Sequence, residues 1–90
     1  MDYEEPIEIP IDGTLDLHTF SPKEVKDLVP DYLGECRKRD ILDVRIIHGK
    51  GTGALRKTVH AILDRIPFVE SYWLAEDGNW GATVVKLKKL

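Results

Sequence analysis

"ILDVRIIHGKGTGALRKTVHAILDRI", residues 41 to 66, decides the fold. Its first third is short, apolar and rich in β-branched residues, which reads as a buried strand ending at His48. "HGKGTG", 48 to 53, follows with three glycines in six positions. Helices and strands both disfavour such a run, because glycine loses the most backbone entropy on ordering. From Ala54 onward Leu55, Val59, Ile62 and Ile66 recur at helical spacing, and Pro67 stops the helix. A strand, a glycine loop and a helix in this order make one α/β unit.

The flanks extend the unit. "TLDLH", 14 to 18, is a short strand with Leu15 and Leu17 on one face and Asp16 and His18 on the other. "SPKE" opens a helix with Ser21 as N-cap, Pro22 in the first turn and Glu24 completing a capping box. Val25, Leu28, Val29, Leu33 and Cys36 form its apolar stripe. Pro30 removes a hydrogen bond and predicts a kink near Lys26. "RKRD", 37 to 40, reads as the solvated end of that helix. Downstream, "FVESYWLAE" and "ATVVKLK" are strands joined by "DGNWG", a hairpin. Upstream, "IEIPIDG" places Ile7, Ile9 and Ile11 on one side, and Pro6 and Pro10 make it an edge strand or an extended arm.

The expected architecture is a two-layer α/β sandwich, β-α-β-α-β-β, with a mixed four-stranded sheet and both helices on one face. Each strand–helix–strand unit should cross right-handedly with its strands parallel. Ligands in such sheets sit beyond the carboxyl ends of the parallel strands, here at His18 and His48.

Ninety residues suit one domain, and a hydrophobic fraction of 42% fills one small core. The expected division is an acidic arm over 1–13 and a globular domain over 14–90. No apolar run approaches the length of a membrane span, and a single cysteine, Cys36, fits a reducing, cytoplasmic setting. The net charge of −3 hides an asymmetry: residues 1 to 16 carry six acids and no Lys or Arg, leaving ten acids against thirteen bases in the remainder. Local placement of cations therefore matters more than the total.

The glycine loop reads as a phosphate contact, with a plain structural turn as the alternative. Glycines allow close backbone approach, a helix N-terminus adds amides and partial positive charge, and Lys50, Arg56 and Lys57 add cations with no acid among them. It is not a P-loop, since the Gly-Lys-Ser/Thr ending is missing. His18 and His48 end neighbouring strands, so their side chains are expected to meet at one site, with Asp16 orienting His18 or holding a metal. His60, with Arg56 and Asp64 on the polar face of its helix, is expected to be solvated. Cys36 and Trp73 are expected in the core. No close ligand pair suggests zinc. Trp80, at the hairpin tip, is placed either to stack on a base or to pack over the adjacent loop.

"LDLH" (15–18), "HGKGTGALR" (48–56) and "GATVVKL" (81–87) together resemble the Smr, or small MutS-related, domain family over about residues 14 to 88. That resemblance implies a sandwich similar to the C-terminal domain of translation initiation factor three. It also implies nicking of DNA or cleavage of RNA, including messenger RNA on stalled ribosomes. Asp16 and His18 match the family's first motif; His48, Gly49, Gly51 and Gly53 match the second. Thr19 replaces a usual glycine, and a threonine cannot take a positive φ cheaply. The turn before the last strand is also altered, to "GNWGAT". As an endonuclease, the chain would grip phosphate with the loop (Gly49, Lys50, Gly51, Thr52, Gly53) and with Arg56 and Lys57, while Asp16, His18 and His48 supply acid and base. RNA brings its own 2′-hydroxyl nucleophile. DNA needs an activated water, for which a divalent ion (Mg or Mn) on Asp16 is the natural helper. The alternative is a non-catalytic module that binds nucleic acid or a ribonucleoprotein.

Overall fold

Thr14–Asp16 (β1), Pro22–Lys38 (α1), Asp43–Ile47 (β2), Ala54–Leu63 (α2), Val69–Leu74 (β3) and Ala82–Leu87 (β4) follow one another in the expected order. The computed structural model describes residues 9–49, 53–75 and 81–90. Expectations for Ile7, Lys50, Gly51, Thr52 and the hairpin tip with Trp80 lie outside the described residues.

The sheet order is β1-β2-β4-β3. β1 and β2 pair in parallel, and β4 is antiparallel to both β2 and β3. The β2–α2–β3 unit is therefore parallel as expected, but its two strands are not neighbours, because β4 returns between them. Register fixes which side chains share a face. Val44 pairs with Val85, and Ile46 with Leu15 and Thr83. These residues are buried, and they join Val25, Val29, Leu33 and Cys36 of α1 and Val59 and Leu63 of α2 in one core. The opposite face carries Arg45, Val84 and Trp73 in one row.

Local signals hold where they are self-contained. The Ser21 hydroxyl accepts from the Glu24 amide at 3.3 Å while the Glu24 carboxylate accepts from the Ser21 amide at 2.8 Å, so the capping box is closed. α1 runs unbroken through Pro30. It ends in a Schellman turn: Asp40 takes φ 62°, and the Ile41 amide reaches back to the Cys36 carbonyl at 2.8 Å. Arg37 corrects the reading of "RKRD" as merely solvated. Its Nε donates to the Lys88 carbonyl at 3.0 Å and its guanidinium lies 4.8 Å from the Phe68 ring centroid, tying helix end to chain end.

Trp73 is a second correction. It is 46% exposed, because Tyr72 takes the inner face and pairs with Val85. Strand alternation then turns Trp73 outward. Ahead of β1, Ile9 and Ile11 pack against the core, so this stretch is part of the folded body.

Tyr32 fastens that stretch. Its hydroxyl accepts from the Gly13 amide at 3.1 Å and donates to the Thr14 carbonyl at 3.1 Å. Gly13 sits at φ 98°, where a Cβ would meet Ile41 at 3.3 Å, so glycine is required there. Tyr32→Phe leaves the Gly13 amide without its acceptor. Chemical denaturation should show a loss of about 1–3 kcal/mol; an unchanged midpoint would mean that water replaces the hydroxyl without cost.

Candidate functional site

β1 ends on an acid–histidine pair. The Asp16 Oδ1 accepts from the His18 backbone amide at 3.0 Å and from His18 Nδ1 at 2.6 Å. The first bond closes an Asx-type turn; the second fixes the ring. Asp16 lies opposite Leu15 on the strand, on the face away from the helices. Both side chains are open to solvent, His18 at 63% and Asp16 at 48% exposure. The hydrogen bonds to His18 hold the Asp16 carboxyl below its ordinary pKa, so it stays ionised and the ring nitrogen facing it keeps its proton. His18 Nε2 is left to act on something else.

Thr19 follows in the turn. Among the described residues only Asp40 is a non-glycine at positive φ, so Thr19 is not in the left-handed region. Threonine therefore carries no left-handed backbone penalty here.

β2 ends differently. His48 continues the inner face of Val44 and Ile46 and is buried, 5% exposed. Its Nε2 lies 2.8 Å from the Thr83 hydroxyl and its Nδ1 lies 3.1 Å from the Gly49 carbonyl oxygen. No hydrogen bond or ring contact joins His18 to His48. The pleat turns His48 toward the helices, and Asp16 with its bound His18 away from them. The two histidines occupy adjacent strand ends with different hydrogen-bond partners.

His60 takes the place expected for His18 beside His48. Its Nε2 lies 2.8 Å from the same Thr83 hydroxyl, and the two rings meet edge to face at 6.2 Å. It also packs on Tyr72 at 4.8 Å, and the Tyr72 hydroxyl donates to Asp64 at 2.6 Å. The expectation of a solvated His60 is thus wrong. Its helical position beside Val59 and Leu63 was the available signal, together with a threonine on the inner face of β4.

The glycine loop is anchored at both described ends. The Gly81 carbonyl accepts from the amides of His48 at 2.7 Å and Gly49 at 2.9 Å. Gly49 has φ 83° and Gly53 φ 87°, both left-handed. Gly53 occupies the N-cap of α2, where it offers no side-chain acceptor, and the first turn of α2 holds no acid. That terminus keeps the partial positive charge that draws anions. Arg56 Nη2 stands 3.2 Å from where a Gly53 Cβ would be, so the guanidinium lies against the cap. Lys57 is exposed on the next position.

Among the described residues no three His, Cys, Asp or Glu side chains gather to hold a metal. Among the described residues Asp16 is hydrogen-bonded only to His18, whose ring meets the carboxylate through Nδ1. The described residues alone do not complete a protein-held metal centre. Cys36 is buried in the core, and burial raises its thiol pKa, which suits packing rather than nucleophilic work. No helix among the described residues is long and apolar enough to cross a membrane.

The sequence model of the Smr domain matches residues 15–88. The chain is 40% identical over 80 residues to the Endonuclease MutS2 of Halothermothrix orenii, and 39% identical to that of Clostridium tetani. Each match covers 87% of this chain but 10% of the relative, so the chain spans about a tenth of the length of these curated relatives. The Smr domain of Thermus thermophilus MutS2 has a TM-score of 0.78 at 38% identity, covering 83% of this chain and 96% of that one. YdaL, a stand-alone small MutS-related protein from Escherichia coli, has a TM-score of 0.81 at 27% identity, covering 89% of this chain and 67% of that one.

Burial lowers the pKa of His48, with Arg56 adding to the effect and the bond to Gly49 opposing it. Burial also lowers that of His60, helped by His48 and Arg56 and opposed by Asp64. Both rings are therefore neutral in the fold at pH values where the unfolded chain already binds protons. Their contribution to stability is complete above the ordinary histidine value of about 6.5 and is lost as pH falls from there toward the lowered folded values. The melting temperature should drop as pH falls below about 6.5, and His60→Gln should flatten that slope. A wild-type melting temperature indifferent to pH in this window would contradict the assignment.

Proposed function

The chain belongs to the Smr domain family, and we propose that it binds nucleic acid and cleaves phosphodiester bonds, with His18 moving the proton. The 2.6 Å bond between Asp16 and His18, on an exposed strand end, is the observation that carries this reading. A carboxylate that holds one ring nitrogen protonated leaves the other nitrogen of a neutral imidazole as a base, the arrangement that activates hydroxyl nucleophiles elsewhere. RNA supplies such a hydroxyl. Removal of the 2′-proton by His18 Nε2 lets O2′ attack phosphorus; the P–O5′ bond breaks, the 5′-oxygen takes up a proton, and a cyclic 2′,3′-phosphate remains.

The relatives support the class of activity, since the MutS2 proteins are named endonucleases. The neighbouring loop supports the mode of binding. Gly49 and Gly53 allow close backbone approach, the uncapped start of α2 favours an anion, and Arg56 and Lys57 add charge. His48, engaged at both ring nitrogens and buried, serves this reading as a support of the loop and not as a second acid or base.

Incubation with end-labelled RNA and with plasmid DNA, with and without EDTA, tests the proposal. RNA fragments ending in cyclic 2′,3′-phosphate are expected, in EDTA as well. His18→Ala should lower the cleavage rate by at least about 10²-fold while binding stays near wild type. A His18→Ala protein cutting at the wild-type rate would remove His18 from the mechanism, and absence of cleavage in either nucleic acid would leave a binding module.

A further inference from the structure

The Thr83 hydroxyl stands between two imidazoles, 2.8 Å from His48 Nε2 and 2.8 Å from His60 Nε2. A hydroxyl has one proton to give and lone pairs to receive. Which way it points is settled at the far end of the chain. His48 Nδ1 lies 3.1 Å from the Gly49 carbonyl, and a carbonyl only accepts. Nδ1 therefore carries a proton. In the neutral ring Nε2 then has a lone pair, so Thr83 donates to it. With its proton committed, the hydroxyl accepts from His60, whose Nε2 must carry a proton. The bonds run in one direction: His60 to Thr83, Thr83 to His48, His48 to the Gly49 carbonyl.

We infer that Thr83 and His60 are positioning residues of the glycine loop: together they lock His48 in one tautomer, and His48 holds the Gly49 carbonyl turned into the fold. Gly49 is thereby held on both sides, its amide by the Gly81 carbonyl at 2.9 Å and its own carbonyl by His48. At φ 83° this residue has freedom that only glycine enjoys, and nothing lies within 4 Å of where its Cβ would be, so packing does not fix it. Hydrogen bonds do. The consequence is electrostatic. The negative end of the Gly49 peptide dipole is withdrawn toward a buried ring and away from the surface where an anion would sit. If the ring turned, the freed carbonyl could swing outward and meet a phosphate oxygen with like charge.

The lock also limits how the pair takes up protons. Charged and titratable groups around it are Arg56 on α2, Asp64 at its end and Tyr72 on β3. One proton can be added with every bond kept: His48 Nε2–H donates to Thr83, the hydroxyl turns to His60 Nε2, and the His60 proton moves to Nδ1. Two cannot, since two cationic rings would then face one hydroxyl.

The loop's role in gripping phosphate rests on the function proposed above; the tautomer does not. The test uses ¹⁵N spectra of the histidine rings and the affinity for a fluorescent 2′-O-methyl RNA, a probe that cannot be cleaved through its 2′ position. In wild type at neutral pH, His48 should carry its proton on Nδ1 and His60 on Nε2. Thr83→Val, which keeps shape and removes the hydroxyl, should blur the His48 signature into a mixture of tautomers and weaken RNA binding about tenfold, the equivalent of roughly one buried hydrogen bond. Thr83→Ser should restore both. His60→Phe should weaken binding less, because the hydroxyl can still donate to His48. A wild-type His48 protonated on Nε2, or a folded Thr83→Val protein that binds as wild type does, would overturn the inference. If Thr83→Val does not fold, the wild-type ring spectrum and the Ser and Phe variants decide. Wild type that shows the tautomers but binds no nucleic acid would count against the proposed function and leave the lock standing.

Discussion

One buried hydroxyl proton orders this end of the molecule. Thr83 is 0% exposed and touches two imidazoles, His48 buried and His60 partly buried. A buried polar group left unmatched costs about 1–3 kcal/mol, and here three such groups solve one another's problem. Solving it needs β2, β4 and α2 all in register. Val44 against Val85 and Ile46 against Thr83 set the strand pairing, and Val59 and Leu63 seat the helix. The apolar core and the polar lock are therefore one constraint: a shift of one residue between β2 and β4 would turn Thr83 to the outer face and take the hydroxyl from the Nε2 of both rings.

The same pleat divides the work between two strand ends. β1 sends Asp16 to the side away from the helices, where it can hold an exposed His18. β2 sends His48 inward, where it is shielded from solvent and fixes backbone. A histidine at a parallel strand end can serve either purpose, and the sequence motif does not distinguish them. Exposure does: the His18 side chain is open to solvent and His48 is buried. Proton exchange with a substrate needs the first environment, and a fixed tautomer needs the second.

Much of the fold is legible in the chain because its signals are local. Ser21, Pro22 and Glu24 announce α1 within four residues, and the alternation of β2 and the glycines after it announce the turn into α2. Non-local facts are not written this way. No residue states that β4 inserts between β2 and β3. "YWL", 72 to 74, is apolar at three successive positions, so alternation could not tell which of Tyr72 and Trp73 faces inward until the partner strand was known. His60 and Thr83 lie 23 positions apart, on a helix and a strand, and each has a bland reading of its own. Only the register brings them together. Asp16 and His18, two residues apart on one strand face, were legible for the opposite reason.

Under the proposed function the two motif histidines have separate duties, one toward the substrate and one toward the loop. Following all three imidazole rings by NMR while adding a non-cleavable 2′-O-methyl RNA addresses it most directly. The His18 ring signals should shift with RNA concentration, while His48 and His60 keep their protonated nitrogens and their positions up to saturation. A His48 ring that changes tautomer or exchanges its proton with solvent as RNA binds, beside an unmoved His18, would contradict it.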